Sequence, residues 1–360
     1  MSNKSVLHIS TTLERGGAEN QLIILAREQI SLGMEVAIIG IKGKPELDET
    51  LSNLGVKLIN PGKKRSLFNI VIFLSRFLAK NSNIVVHAHL PRAEIVARLA
   101  LIGKENRLVV SRHNAEPFFP KGPTTISRLL SIWVTKRASA VIAISNAVQF
   151  FLRENNEIFD PNRIHVVHYA FDSKFVKDFD YKLHRESTDF LRFITIGRLT
   201  HQKNYPFMFQ ALSKISPEDL KFTLTILGSG ELEDSLKALA RTLNIENRIS
   251  WLGKRTEVSE ILRQHDAFIF TSRYEGFGLV LLEAIQHALP VIAPRNTAIP
   301  EVLGENYGGL YSDGNEQEFI SLLTKLRDID FYSNLSKASH VRSALFSPIY
   351  MVSAINSTYG

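Results

Sequence analysis

The sequence predicts an α/β protein built of two Rossmann-like, doubly wound domains facing each other across a cleft. Three observations carry this. Short β-branched runs alternate with longer helical patterns along the whole chain. Most of those runs are continuously apolar, as expected of parallel strands covered on both faces. The alternation breaks once, over the polar and charge-rich stretch 173–189, and then restarts, which marks a linker and a second domain. A chain of 360 residues with 44% hydrophobic content is long enough to bury two such cores.

The first domain is expected over residues 1–175. Its strands are VLHIS, EVAIIGI, VKLIN, NIVVHAHL, RLVVSRH and AVIAIS, with helices over 18–32 and 93–102 between them. The stretch 62–80, GKKRSLFNIVIFLSRFLAK, places apolar residues at helical spacing behind Lys63, Lys64 and Arg65. That pattern fits a helix covering the sheet, with a cationic start that can meet lipid phosphates. The second domain is expected over 190–340, with strands LRFITIG, KFTLTILG, RISWLG, DAFIFTS and PVIAP. A final helix within 341–360 is expected to pack back toward the first domain.

Charge is uneven. Residues 1–175 carry 23 Lys and Arg against 14 Asp and Glu, while the remainder carries 20 against 22. The basic half is the one suited to an anionic surface or acceptor. The absence of cysteine excludes disulfides, thiolate metal sites and a cysteine nucleophile, and suits a reducing cytosol. MSNKSVLHIS lacks the apolar core of a secretory signal, and no stretch has the length of a spanning helix, so a cytoplasmic chain, peripheral at most on the inner face of a membrane, is expected.

Ligands of doubly wound sheets sit at the carboxyl ends of strands, so the residues that follow each strand carry the chemistry. After the first strand, Gly16 and Gly17 precede a helix whose free N–H groups can face an anion; a plain tight turn explains them equally well. GRLTHQKN places Arg198 and Lys203 at a strand exit behind Gly197, two cations suited to a diphosphate or to solvent. Gly228 and Gly230 repeat the glycine pattern in LTILGSGELEDSL. In TSRYEGFGLVLLEAIQHALP, Glu275 follows a strand and Glu283 lies in the next helix, where it shares a face with Gln286 and His287. Either that face is a solvated stripe or the glutamate has a ligand as partner.

These motifs together resemble retaining GT-B glycosyltransferases of family 4, the nucleotide-sugar group that includes lipopolysaccharide glycosyltransferases. EGFGLVLLE resembles the family's E-x7-E motif, GRLTHQKN its G-R-L-x-x-x-K-N element and GGAEN its first glycine loop. VVHAHLPRAEIVARLA, AVIAISNAV and WLGKRTEV extend the similarity over nearly the whole chain. The resemblance implies that Glu283 binds the ribose hydroxyls and that Glu275 lies beside the transferred sugar. The amides of Gly276, Phe277 and Gly278 would meet sugar hydroxyls, those of Leu279 and Val280 the diphosphate, and Arg198 and Lys203 the leaving group. Gly16, Gly17, Gly228 and Arg255 join the donor-binding set by the same carry-over. His113, after a first-domain strand, matches a histidine that contacts the donor sugar; of His87 and His89, only His89 is expected to face the cleft.

Two segments depart from the family. VHYAFD carries His168, Tyr169 and Ala170 where the pattern is Pro-Asn-Gly, keeping Asp172, and APRNTAIPEVLG lacks the glycines of G-G-x-P-E. The triplets DFD at 178–180 and DID at 328–330 resemble a metal signature of a different glycosyltransferase fold but read as surface charge. The expectation is a metal-independent retaining transfer, without cofactor, from a nucleotide-sugar, UDP-linked first, to an acceptor hydroxyl. The implied partners are a lipid-linked glycan acceptor and an anionic membrane surface, not nucleic acid, because no basic and aromatic interleaving is present. An epimerase or phosphorylase on the same fold would be told apart by its product, a nucleic-acid binder by a salt-dependent gel shift, and a non-catalytic sensor by its failure to release nucleotide.

Overall fold

The computed structural model describes residues 5–14, 16–44, 46–60, 66–120, 122–171 and 190–360. The expected linker with its DFD triplet, Asp172, and Lys63, Lys64 and Arg65 lie outside the described residues. The chain forms two compact units, Met1–Ala170 with Ser347–Gly360, and Phe171–Phe346.

In the first unit β1 (Ser5–Thr12), β2 (Glu35–Lys42), β3 (Lys57–Leu58), β4 (Val85–His89), β5 (Leu108–Arg112), β6 (Ala140–Ala143) and β7 (Ile164–Val166) form one sheet in the order β3-β2-β1-β4-β5-β6-β7. Every pairing is parallel. Its central strands are buried on both faces because helices cover both, and Val6, Leu7, Ile9, Val86 and Val110 are inaccessible to solvent. The strand order reverses between β1 and β4, so their carboxyl ends flank the switch point at which such sheets receive ligands. The helix Leu67–Ala79 is capped by Ser66 Oγ and buries Ile70, Leu74 and Leu78 at i, i+4 and i+8, as expected of a sheet-covering helix.

The second unit holds β8 (Phe190–Ile196), β9 (Lys221–Leu227), β10 (Ile249–Gly253), β11 (Ala267–Ile269), β12 (Val291–Pro294) and β13 (Leu310–Tyr311) in the order β10-β9-β8-β11-β12-β13. Its switch point lies between β8 and β11, the strands that lead into Arg198 and Glu275. Asp328 of the DID triplet caps the helix Ile329–Ser343 by accepting Phe331 N–H at 3.0 Å. Where one helix is expected within 341–360, the structure ends one at Ser343 and opens another at Pro348, whose fixed φ suits a first helical turn. That helix, Pro348–Ser357, packs on the helix Gly17–Ser31 of the first unit.

Candidate functional site

In the second unit the carboxyl ends of β8 and β11 are laced together. Thr271 Oγ1 donates to the Lys203 carbonyl at 3.0 Å, Arg273 N–H to the Gln202 carbonyl at 2.9 Å, and Gln202 Nε2 to the Tyr274 carbonyl at 2.9 Å. Between β8 and the helix Tyr205–Ser213 the chain makes a short 3-10 turn, His201–Lys203, closed by Asn204 in the left-handed region. This turn folds Lys203 back over Gly197, where an added Cβ would meet the lysine side chain at 3.1 Å. Lys203 Nζ then lies 5.0 Å from the centre of the Phe270 ring and donates to Glu275 Oε1 at 2.6 Å. The two side chains are 13% and 9% exposed, so this is a nearly buried ion pair. The sequence reading gave the two residues separate duties; the structure makes them partners, 72 positions apart. The Arg198 side chain, by contrast, is exposed, and its guanidinium has no hydrogen bond or ion pair to any described residue.

Glu275 opens the turn whose last residue, Gly278, has φ 88° and stands as N-cap of the helix Leu279–Gln286. No side chain caps that helix, leaving its first amides, those of Leu279 and Val280, without a side-chain acceptor. Phe277 is buried, its ring edge-on to Phe346 at 5.8 Å, which anchors the turn from beneath. Thr297 Oγ1 accepts the Glu275 N–H at 3.0 Å from a backbone at φ 43°. A β-branched residue in the left-handed region is strained. Thr297 stands in the segment that lacks the family's glycines, so the left-handed turn persists there without one.

Glu283 is partly accessible and bonds through its carboxyl group to none of the described residues. Burial pushes it up to about 7. Gln286 and His287 beside it are buried, which removes the solvated-stripe alternative. His287 Nδ1–H donates to the Glu283 carbonyl at 2.7 Å, so its Nε2 accepts from Ser259 Oγ at 2.7 Å. Thr200 Oγ1 and Ser272 Oγ, just beyond β8 and β11, are buried without a partner among the described residues; no sequence signal marked them.

The glycines of the β9 exit answer a need of the neighbouring backbone. A Cβ on Gly228 would lie 1.9 Å from the Gly197 carbonyl oxygen, and one on Gly230 2.4 Å from that of Leu199. The two loops zip together through Gly197 N–H to Leu227 O and Leu199 N–H to Ser229 O. Backbone packing therefore requires both glycines. Arg255, beyond β10, is exposed.

In the first unit, Gly16 is extended and Gly17 begins the helix after β1. Its first turn already holds a buried carboxyl group, that of Glu19, pushed up by burial. The anion-receiving helix start expected there is thus partly occupied by the chain's own acid. Leu90, between β4 and the helix Pro91–Ala100, has φ 73° and ψ 152°, a backbone region otherwise left to glycine, at the sheet's switch point.

His8, His87 and His89 bring ring nitrogens within 4.8 Å of one another, a metal-like spacing, yet a hydrogen-bond network employs them. Gln29 Nε2 donates to Asn356 Oδ1 and Tyr359 Oη, so Gln29 Oε1 accepts His8 Nε2–H at 2.8 Å. His8 Nδ1 therefore accepts from His89 Nε2 at 3.0 Å. His87 spends its nitrogens on Tyr359 Oη at 2.8 Å and Ser111 Oγ at 2.7 Å. Burial holds all three below the usual imidazole range, His8 down to about 4, so they are neutral. Beside them Arg112 bridges two buried acids, with Nε 2.9 Å from Glu94 and Nη1 3.4 Å from Glu157. His113 follows directly; its Nδ1 is bonded to Tyr169 Oη, its Nε2 is buried without a partner among the described residues, and burial pushes it down to about 4.

The model of group 1 glycosyl transferases matches residues 177–339, and that of glycosyltransferase family 4 matches residues 15–175. The N-acetyl-alpha-D-glucosaminyl L-malate synthase of Bacillus anthracis is 28% identical over 276 residues, 72% of this chain and 70% of that protein. The Escherichia coli UDP-Gal:alpha-D-GlcNAc-diphosphoundecaprenol alpha-1,3-galactosyltransferase is 27% identical over 286 residues, 74% of this chain and 72% of that one. HepE of Anabaena, solved in complex with UDP, superposes with a TM-score of 0.83 at 20% identity over 99% of both chains. That likeness bears out the expected GT-B class of two parallel-sheet domains.

Proposed function

The chain belongs to the group 1, family 4 glycosyltransferases, and on that premise we propose a metal-independent retaining enzyme that moves a sugar from a UDP-sugar to a hydroxyl of a lipid-linked glycan acceptor. One observation carries the reading. Glu283, an acid without a partner among the described residues, lies in the helix that opens at Gly278. A ribose would supply the hydrogen-bond donors this acid lacks. UDP is favoured because HepE is solved with it, and a lipid-linked acceptor because the Escherichia coli relative is named for one.

Transfer breaks the bond from the sugar to the diphosphate oxygen, forms one to the acceptor oxygen, and returns the acceptor proton to the departing phosphate. The protein's part is positioning and charge. Arg198 has its whole guanidinium fork available for phosphate oxygens. Lys203 has two N–H donors beyond the one given to Glu275. A thermal-shift series with UDP, GDP and ADP and their sugars tests the assignment: UDP at about 100 times its Kd adds about 2.7 kcal/mol. No stabilisation by any of them would sink the reading. UDP release is expected to survive EDTA unchanged, and loss on chelation with rescue by Mg²⁺ or Mn²⁺ would overturn metal independence.

Among the described residues no helix is long and apolar enough to cross a membrane. The helix Leu67–Ala79 instead exposes Leu67 at 53% and Phe68 at 73% at its start, next to the Lys-Lys-Arg run. An apolar pair beside three cations suits peripheral contact with anionic lipid. Sedimentation with phosphatidylglycerol vesicles, but not phosphatidylcholine ones, is expected, with loss on changing Leu67 and Phe68 to Ser. Equal binding by that variant would remove this helix from the contact.

A further inference from the structure

We propose that Tyr169 is a positioning residue for the transfer: its phenol donates to Nδ1 of His113 and holds the imidazole with its proton on Nε2, as a hydrogen-bond donor aimed at a substrate oxygen. The inference rests on the reading of His113 as a residue that meets the sugar substrate.

Several observations converge on this pair. The two rings stack at 5.8 Å and 25°, and Tyr169 Oη bonds to His113 Nδ1. Tyr169 is 8% exposed, and its backbone is pinned by its neighbour: Gln21 Nε2 donates to the Ala170 carbonyl at 2.8 Å, and Ala170 N–H donates to Gln21 Oε1 at 3.1 Å. This two-point amide clasp fixes the position of the phenol against the helix Gly17–Ser31. Burial, and then the negative charge of Glu19, push the phenol well above its ordinary range, so it keeps its proton.

A protonated phenol against a neutral imidazole has one proton to give, and giving it to Nδ1 sends the ring's own proton to Nε2. That N–H is buried and has no acceptor among the described residues. Buried donors are normally paired, and one that is not invites an oxygen from a ligand. His113 lines one cavity with Tyr169, Gln21, His89, Met351 and Ile355. Tyr169 stands where the family pattern has asparagine, so this way of fixing the histidine is a property of the chain's own sequence. It also fits the histidine network beside it, in which each proton position is set by a neighbour.

Long-range proton–nitrogen correlation on the full chain labelled in its 11 histidines reads the tautomer directly. His113→Gln identifies the signal. The wild type is expected to show His113 protonated on Nε2 alone, and Tyr169→Phe a mixture of tautomers. UDP released from UDP-glucose, UDP-galactose and UDP-N-acetylglucosamine supplies the second readout. Tyr169→Phe should lower kcat about tenfold, the worth of one positioning hydrogen bond, and leave donor KM within about twofold. A wild-type His113 protonated on Nδ1, or a Tyr169→Phe protein with unchanged tautomer and kcat, would overturn the proposal. A folded His113→Ala protein that releases UDP at the wild-type rate would remove the substrate-facing role itself, and with it the need for positioning, whatever the tautomer.

Discussion

Replacing Lys203 by Ala is expected to lower the stability of the protein by about 3–5 kcal/mol and to stop donor turnover. Removing one partner of a buried pair strands the other charge, and Glu275 is 9% exposed with Lys203 as its recorded cation. The Phe270 ring beneath Lys203 would also lose its ammonium, 5.0 Å from the ring centre. Urea midpoints measure the cost. Glu275→Gln in the Lys203→Ala background should recover much of it, because an amide needs no counter-charge, while turnover stays lost because the cation itself is needed at the leaving diphosphate. A double-mutant cycle in which the two changes simply add would show that the pair contributes nothing as a pair.

Glu283→Ala should weaken UDP binding by about 1.5–3 kcal/mol, one lost set of hydrogen bonds to a charged group, while leaving the fold intact. Calorimetric titration of the folded variant with UDP measures this, and wild-type affinity would withdraw the ribose role. The same carboxyl group sets a pH signature. Its folded value, about 7, lies above the ordinary 4.5, so the folded state holds its proton more tightly than the unfolded one. The contribution to stability is therefore fully present below pH 4.5 and is lost as pH rises to about 7. Glu94 is also pushed up to about 7, so the informative quantity is the difference between wild type and Glu283→Gln. That difference should grow across this pH window in favour of the variant and shrink when UDP is bound. A flat difference would mean that Glu283 is not held protonated in the free protein.

Periodicity made most strands of both sheets legible, because strands buried on two faces cannot hide their apolar runs. The two edge strands of the second unit differ: β10 keeps no fully buried residue yet was legible as RISWLG, whereas β13, Leu310–Tyr311, is buried but too short to leave a run. At the site, Arg198, Lys203 and Glu275 were marked by their place after strands and Glu283 by its spacing from Glu275, yet the pairing of Lys203 with Glu275 was not. Lys203 meets Glu275 only because a 3-10 turn folds the lysine over Gly197, and nothing local in GRLTHQKN encodes that turn. Gly228 and Gly230 show a second way in which a signal is incomplete. Glycine signals close approach without saying of what, and here the answer is the neighbouring backbone. The Gln21 clasp, the Arg112 bridge to Glu94 and Glu157, and the network around His8 join residues far apart in sequence, so their polar partners left no pattern to read.

The division of the chain has a consequence for how it is made. Residues 171–346 interrupt the first unit, whose last piece, Ser347–Gly360, supplies Asn356 and Tyr359 to Gln29 and His87. In order of translation, the complete sequence of the second unit therefore precedes the last piece of the first. Until it folds in, Gln29 lacks Asn356 and Tyr359 and His87 lacks Tyr359 as hydrogen-bond partners in a buried interior, and the groove beside the helix Gly17–Ser31 is open. Translation order thus runs against domain order, and the unit that emerges first is the last to close.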